Sequence, residues 1–280
     1  VKPASHDGFA LVGVLWNVMI LSLALASITT MMRGQSRECQ FALEKAGSRA
    51  LADAAINLAI LSLLSPDATQ WPRRDGTPFH IQFQGRPIEV TVQDESGKID
   101  INAAPAETLT KLFLYAGLRA DAAQAEADRV QDWREPGELR RLDGAKTRDY
   151  QEAGVRYRPR NAAFESVGEV GLVLGMSAEI TARVMPLITI YSEQPGVDEP
   201  TAPRPVLQAL YGPDAVAIDQ IMAERSRAAD ADVSGGFASL AGHAFRITAR
   251  VRFNDDTTTR MRVVRLSADL HNPVWTYEAE

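Results

Sequence analysis

A single cysteine, Cys39, in 280 residues excludes any disulfide within the chain. Four scattered histidines (His6, His80, His243, His271) leave little material for a Cys/His metal site. Lys and Arg number 30 against 36 Asp and Glu, a net charge of −6, and form no concentrated run. A surface that grips nucleic-acid phosphates by charge is therefore not expected. Nor is there a nucleophile-base-orienter set or a phosphate-cradling glycine loop, so the chain does not read as an enzyme. Proline is absent between Lys2 and Pro66, which removes the strongest helix breaker from that stretch. What is present is core-forming material: 45% hydrophobic and 24% charged residues, near the globular average, in a length suited to roughly two domains.

From Gly8 to Met32 there is no charged residue, and Phe9 to Leu21 is almost wholly apolar. As a helix of about 24 residues rising about 1.5 Å each, it would reach ~36 Å, enough for a ~30 Å hydrocarbon layer. The run reads as a membrane segment or an export signal, and either places the rest of the chain outside the cytoplasm. Lys2 before the run and Ala24-Leu25-Ala26 before Ser27 fit a cleavable signal peptide. Against that, Asp7 abuts the run, which continues through Ile28, Met31 and Met32. Beyond Met32, charged residues from Arg33 to Asp53 interleave with Phe41, Leu43, Ala46, Ala50, Leu51, Ala54, Leu58 and Leu61. Alanine and leucine favour helix, so one helix from about Phe9 to about Leu64 is expected, apolar all round and then amphipathic.

A polar connector, Pro66 to Pro78, precedes two alternating runs, Phe79 to Phe83 and Ile88 to Val92, around Gln84-Gly85. This is an antiparallel hairpin pattern. Asp94 to Asn102 is rich in carboxylates, but Ser96-Gly97 signals a turn and no histidine or nucleophile follows, so it reads as a polar corner leaving the hairpin. From Pro105 to about Ile190 the periodicity is helical. Two helical units with Gly117-Leu118 and Leu174-Gly175 corners resemble helix-hairpin-helix folds. Glu165, Glu169 and Glu179 flank the second corner, and a packing domain is favoured over a nucleic-acid module. After a Pro-rich link come two short helices, then alternating runs from Ala244 to Phe253 and Arg260 to Leu266, and a last strand at Val274 to Tyr277. Arg246, Arg250, Arg252, Arg260 and Arg262 suggest a solvated basic sheet face.

A charged leader ending in Gly8, followed by Phe9 and a membrane-length helix that becomes amphipathic, resembles the prepilin family of type IV pilins and type II secretion pseudopilins. The resemblance implies cleavage after Gly8 by a prepilin peptidase and methylation of Phe9. Most members carry a glutamate where this chain has Gly13, and its lack implies a place at the fibre tip. Four separated words narrow the likeness: DESGKIDINAAPAETL (Asp94 to Leu109), VQDWRE (Val130 to Glu135), YRPRNAAFESVGEVGLVLGM (Tyr157 to Met176) and ITIY (Ile188 to Tyr191). Together they resemble the K component of type II secretion, the general secretion pathway protein K family.

That resemblance implies an α+β pseudopilin fold: a long N-terminal transmembrane helix packed on an antiparallel sheet, plus an inserted all-helical domain. The expected divisions are leader 1–8, transmembrane helix 9–32, periplasmic helix 33–65, first sheet part 66–100, inserted domain 101–190 and second sheet part 191–280. The implied role is a non-enzymatic minor pseudopilin anchored in the inner membrane. With I and J partners it would start a periplasmic pseudopilus that exports folded proteins. A type IV pilus minor pilin and a membrane-anchored helix-hairpin-helix DNA-binding protein are the alternatives. The family also implies calcium, here through Asp132, Glu135, Glu138 and Asp143. Gly137 stands where an acid is expected and Gly144-Ala145 is followed by Lys146. An acidic loop without metal, paired with Arg134, Arg140 and Arg141, is the competing expectation.

Overall fold

The computed structural model describes residues 7–212, 215–231, 239–253, 256–269 and 271–279; the side chains of 7–10, 28–39, 68, 215 and 226–231 lie outside that description. Helix α1 runs unbroken from Asp7 to Leu63, as the absence of proline and the alanine content require. Ala52, Ala55, Ile56, Ala59, Ile60 and Leu63 are buried. Their spacing of three and four puts them on one stripe, and the alanines let α1 approach the sheet closely. Each fully buried large aliphatic side chain there contributes about 1.5–3 kcal/mol.

The sheet beneath α1 is fully antiparallel, in the order β1-β2-β5-β6-β7. Strands β1 (Phe79–Phe83) and β2 (Arg86–Asp94) form the expected hairpin. Phe83 pairs with Arg86, and both turn residues, Gln84 and Gly85, have positive φ (52° and 75°). That conformation matches the right-handed strand twist, and glycine adopts it without strain. Strands β5 (Ala244–Phe253), β6 (Asp256–Leu266) and β7 (Val274–Ala279) complete the sheet. Alternate residues of β2 and β5, from Ile88 to Val92 and from Phe245 to Val251, join the α1 stripe in one core.

Between β2 and β5, paired neighbours in space, the chain inserts a second body. It contains a parallel pair, β3 (Ile99–Asp100) with β4 (Ile188–Thr189), and the helices α2 (Ala106–Tyr115), α3 (Ala120–Arg134), α4 (Thr147–Glu152), α5 (Ala178–Val184), α6 (Arg204–Tyr211) and α7 (Ala215–Ala231). Its core is separate from that of the sheet and runs from Ile99 to Ile218, with Trp133 stacked on Phe164 at 5.8 Å. The body is mainly helical rather than all helical, because it includes the pair β3 and β4, which sets Ile99 beside Ile188. It also extends beyond the expected boundary at 190. Val206, Leu207 and Ala209 of α6 are buried in this core; among the described residues, Leu240 is back in the core of the sheet, and β5 begins at Ala244. The fold is α+β.

The expected solvated arginine face is not uniform. Arg260 Nε lies 3.4 Å from Asp53 Oδ1, and Arg262 Nη1 donates to Asn57 Oδ1 at 2.7 Å, so these two clamp α1 to β6. Arg246 reaches inward to Glu95 at 2.9 Å, while Arg250 pairs with Glu89 at the surface. The β5–β6 register pairs Arg260 with Ala249 and Arg262 with Ile247, on the face that α1 covers, whereas Arg246, Arg250 and Arg252 share the opposite face of β5; a count of basic residues does not reveal this.

Candidate assembly and metal sites

Helix α1 carries the candidate assembly surface. From residue 11 to 27 every side chain is exposed, including Leu15, Trp16 and Leu25 at 61–68% relative exposure. Among the described residues no helix is long and apolar enough to cross a membrane. Phe41, Leu43 and Leu61 continue the exposed apolar surface toward the sheet. The carbonyl of Gly13 accepts from Asn17 Nδ2 at 2.9 Å, and a Cβ at Gly13 would meet open space. Nothing within the chain's packing therefore requires glycine there. The side chains of Phe9 and Cys39 lie outside the described residues, and Gly8 is seen only as helical backbone.

The carboxylates expected to bind calcium are not gathered around a common point. Arg141 lies between Asp132 and Glu135: Nη1 donates to Asp132 Oδ1 at 2.9 Å and to Glu135 Oε2 at 2.7 Å, and Nη2 to Glu135 Oε1 at 2.5 Å. The hydrogen bond from Arg141 holds the Glu135 carboxyl below its ordinary range, against a smaller effect of burial. Glu138 turns to Thr147 Oγ1 and Asn161 Nδ2, each at 2.9 Å, and Asp143 is exposed. Among the described residues no group of three or more His, Cys, Asp or Glu is placed to hold a metal ion. Of the neighbouring arginines, Arg140 pairs with Asp149 at 2.7 Å. Arg134 instead binds the carbonyls of Ile101 and Ala104 at 2.6 and 2.7 Å.

The two helical corners also use their cations internally. Arg183 donates to the Ala116 carbonyl at 2.8 Å and to Glu179 at 2.7 Å. Arg129 does the same with Leu174 O at 3.3 Å and Glu126 at 2.7 Å. Positive φ at Gly117 and Gly175 (101° and 93°) forms each corner.

A site that sequence reasoning missed lies where the sheet meets the inserted body. The run Asp94 to Asp100, expected as a polar corner, is buried throughout. Asp94 Oδ1 accepts from Ser96 N at 3.0 Å and from Ser96 Oγ at 2.6 Å, capping the turn, while Oδ2 faces His243 Nδ1 at 2.8 Å. Glu95 is fully buried between Lys98 (3.2 Å) and Arg246 (2.9 Å). Asp100 accepts from the amides of Asn102 and Glu193 at 2.8 Å each, joining the start of the insertion to the segment that follows β4. The only sequence signal was the density of charge beside Ile99 and Ile101.

The bond to Asp94 raises the His243 pKa above its ordinary 6.5, with burial opposing. A value raised on folding means that this link stabilises fully below pH 6.5 and is lost as pH rises through the folded value. Denaturation midpoints across that window are expected to fall in the wild type and to stay flat in His243→Gln. Parallel profiles would remove the proposed ionic link.

Three comparisons place the chain among known proteins. Residues 88–193 match the family described as type II secretion system (T2SS), protein K. A Pseudomonas aeruginosa PAO1 protein named Type II secretion system protein K is 26% identical over 164 residues, 55% of this chain and 49% of that relative. The match thus spans about half the relative's length. The fold is similar to a chain in the crystal structure of the GspK-GspI-GspJ complex from the enterotoxigenic Escherichia coli type 2 secretion system. The TM-score is 0.55 at 17% identity, covering 88% of this chain and 98% of that one.

Proposed function

From the match of residues 88–193 to the type II secretion protein K family, we propose that the chain is a member of that family, a non-enzymatic minor pseudopilin capping a periplasmic pseudopilus. The observation that carries this reading is the placement of the inserted body. The body inserted after Asp94, between adjacent strands β2 and β5, adds bulk at the edge of the sheet toward which the C-terminal end of α1 points, where a further subunit would have to stack. The exposed apolar surface of α1 is available for burial against neighbouring helices, which supplies non-directional association energy. Polar contacts of the globular part then set partner order. The I and J components are the partners proposed for the tip, in line with the complex in which the structural relative was solved. In this role the chain starts pseudopilus assembly and supports export of folded proteins across the outer membrane.

The run from Gly8 to Met32 is the proposed single-pass inner-membrane anchor, with the globular part in the periplasm. Its support is the lack of charge over that run and the full exposure of side chains 11–27. Prepilin peptidase would cut after Gly8 and methylate Phe9. Gly13 fits a terminal subunit: a carboxylate there is costly in lipid unless it is paired, and a subunit at the top has no chain end above it to pair with.

Gly8→Val is expected to abolish cleavage, leave Phe9 unmethylated and prevent co-purification with I and J components from membranes. N-terminal sequencing and mass spectrometry of the full chain read the first two effects. Normal processing of the variant, or a wild-type terminus at Ser27, would overturn the prepilin reading.

A further inference from the structure

We infer that the loop joining α3 to α4 is held by two resident cations, the Lys146 ammonium and the Arg141 guanidinium, in place of a divalent metal, so that its order does not depend on calcium. Lys146 is buried, and its Nζ donates to the carbonyls of Asp132 (2.5 Å) and Glu135 (2.8 Å) and to Asn161 Oδ1 (3.1 Å). An ammonium has three donors and no acceptor; all three are used. The two carbonyls close the last turn of α3, where helical acceptors lack intrahelical partners and the dipole is negative. A cation is favoured there on both counts.

Arg141 takes the carboxylates of the same two residues, and its backbone amide donates to Asp132 Oδ2 at 3.1 Å. Asp132 and Glu135 thus give their carbonyls to one cation and their carboxylates to the other. Gly144 closes the arrangement from outside, since a Cβ at that position would collide with the Asp132 carboxylate. Calcium requires six to eight oxygens at about 2.3–2.6 Å. The oxygens nearest to such a cage are already spent on nitrogen donors, and an incoming dication would meet two fixed positive charges. The inference stands whether or not the chain caps a fibre.

The test uses the full chain in detergent, with calcium chloride or EGTA. Equilibrium dialysis with radioactive calcium is expected to find no stoichiometric binding, and hydrogen exchange of the loop amides is expected to be the same in both buffers. Lys146→Met should speed that exchange by about tenfold or more, equally with and without calcium, because two buried carbonyls lose their donor. Should that variant fail to fold, Arg141→Gln, whose site is half-exposed, gives the same readout. One calcium bound per wild-type chain, protection that rises with calcium, or variants exchanging as slowly as wild type would overturn the inference.

Discussion

Glu95→Gln is expected to destabilise the folded chain by about 3–5 kcal/mol, the cost of removing one member of a buried ionic group. Glu95 is fully buried, and its carboxylate lies 3.2 Å from Lys98 and 2.9 Å from Arg246. Glutamine preserves the shape and one acceptor but leaves two desolvated cations facing each other. Burial alone would raise the Glu95 carboxyl pKa; Lys98 and Arg246 outweigh it and hold the group ionised below its ordinary 4.5. The sign of the pH effect follows. A pKa depressed on folding contributes stability above the unfolded value, and that contribution disappears as pH falls through the folded one. Chemical denaturation should show Glu95→Gln shifted to lower midpoint at neutral pH, with the gap closing in acid. Adding Lys98→Met should recover part of the loss, since an uncompensated cation then leaves the interior and Arg246 retains Glu278 at 3.8 Å. A single variant within about 1 kcal/mol of wild type would show that water already reaches this cluster. Glu95 and Lys98 belong to the base of the inserted body and Arg246 to the sheet, so the cluster is one of the links between the two.

The elements legible in the sequence were those whose periodicity is local. The α1 helix follows from its alanines and missing prolines, and the β1-β2 hairpin from alternation around Gln84-Gly85. The insertion was legible as helical but not in extent. Val206 and Leu207 carry the same local pattern whichever core they join, and only the contact of α6 with α2 assigns them. The buried corner was invisible for a related reason. Asp94, Glu95 and Lys98 have the composition of a surface turn, and burial comes from residues far along the chain, namely Thr189, Thr201 and Arg246. At the acidic loop the pairing of Arg141 with its carboxylates was among the expectations, whereas the use of Lys146 on backbone carbonyls was not. Its signal was a lysine following Gly144-Ala145, with Asp143 and Asp149 as local charge partners, and the sequence does not show that the ammonium passes over both for backbone carbonyls.

Gly97→Ala is expected to disrupt the same junction by a steric route, at a cost of roughly 3 kcal/mol or more. Gly97 lies in the turn between β2 and β3, under the strap that brings the chain from β4 to α6. The strap is fastened on several sides: Asp198 N donates to Ser96 O at 2.9 Å and Gln93 Nε2 to Thr201 O at 2.9 Å. Arg225 Nη2 reaches Glu199 O and Ala202 O, both at 2.7 Å. A Cβ on residue 97 would stand 2.6 Å from the Thr201 carbonyl carbon and 2.8 Å from the Ala202 amide nitrogen, as well as colliding with the Thr201 oxygen. These are backbone atoms, and no rotamer change can move them aside. Either the turn or the strap must shift, and the strap cannot shift without breaking the bonds to Gln93 and Arg225. Gly196→Ala, two residues before the strap's first bond, is the matched control: a Cβ there meets nothing, and a change within about 0.5 kcal/mol is expected. Thermal unfolding of both full-length variants, with protease susceptibility of the segment between Ile190 and Arg204, separates the cases. Equal stability of Gly97→Ala and Gly196→Ala would mean that the strap does not bear on the turn, and that the inserted body is held to the sheet through other links, such as Glu95 with Arg246, Tyr191 with Glu278 and Glu193 with Arg265.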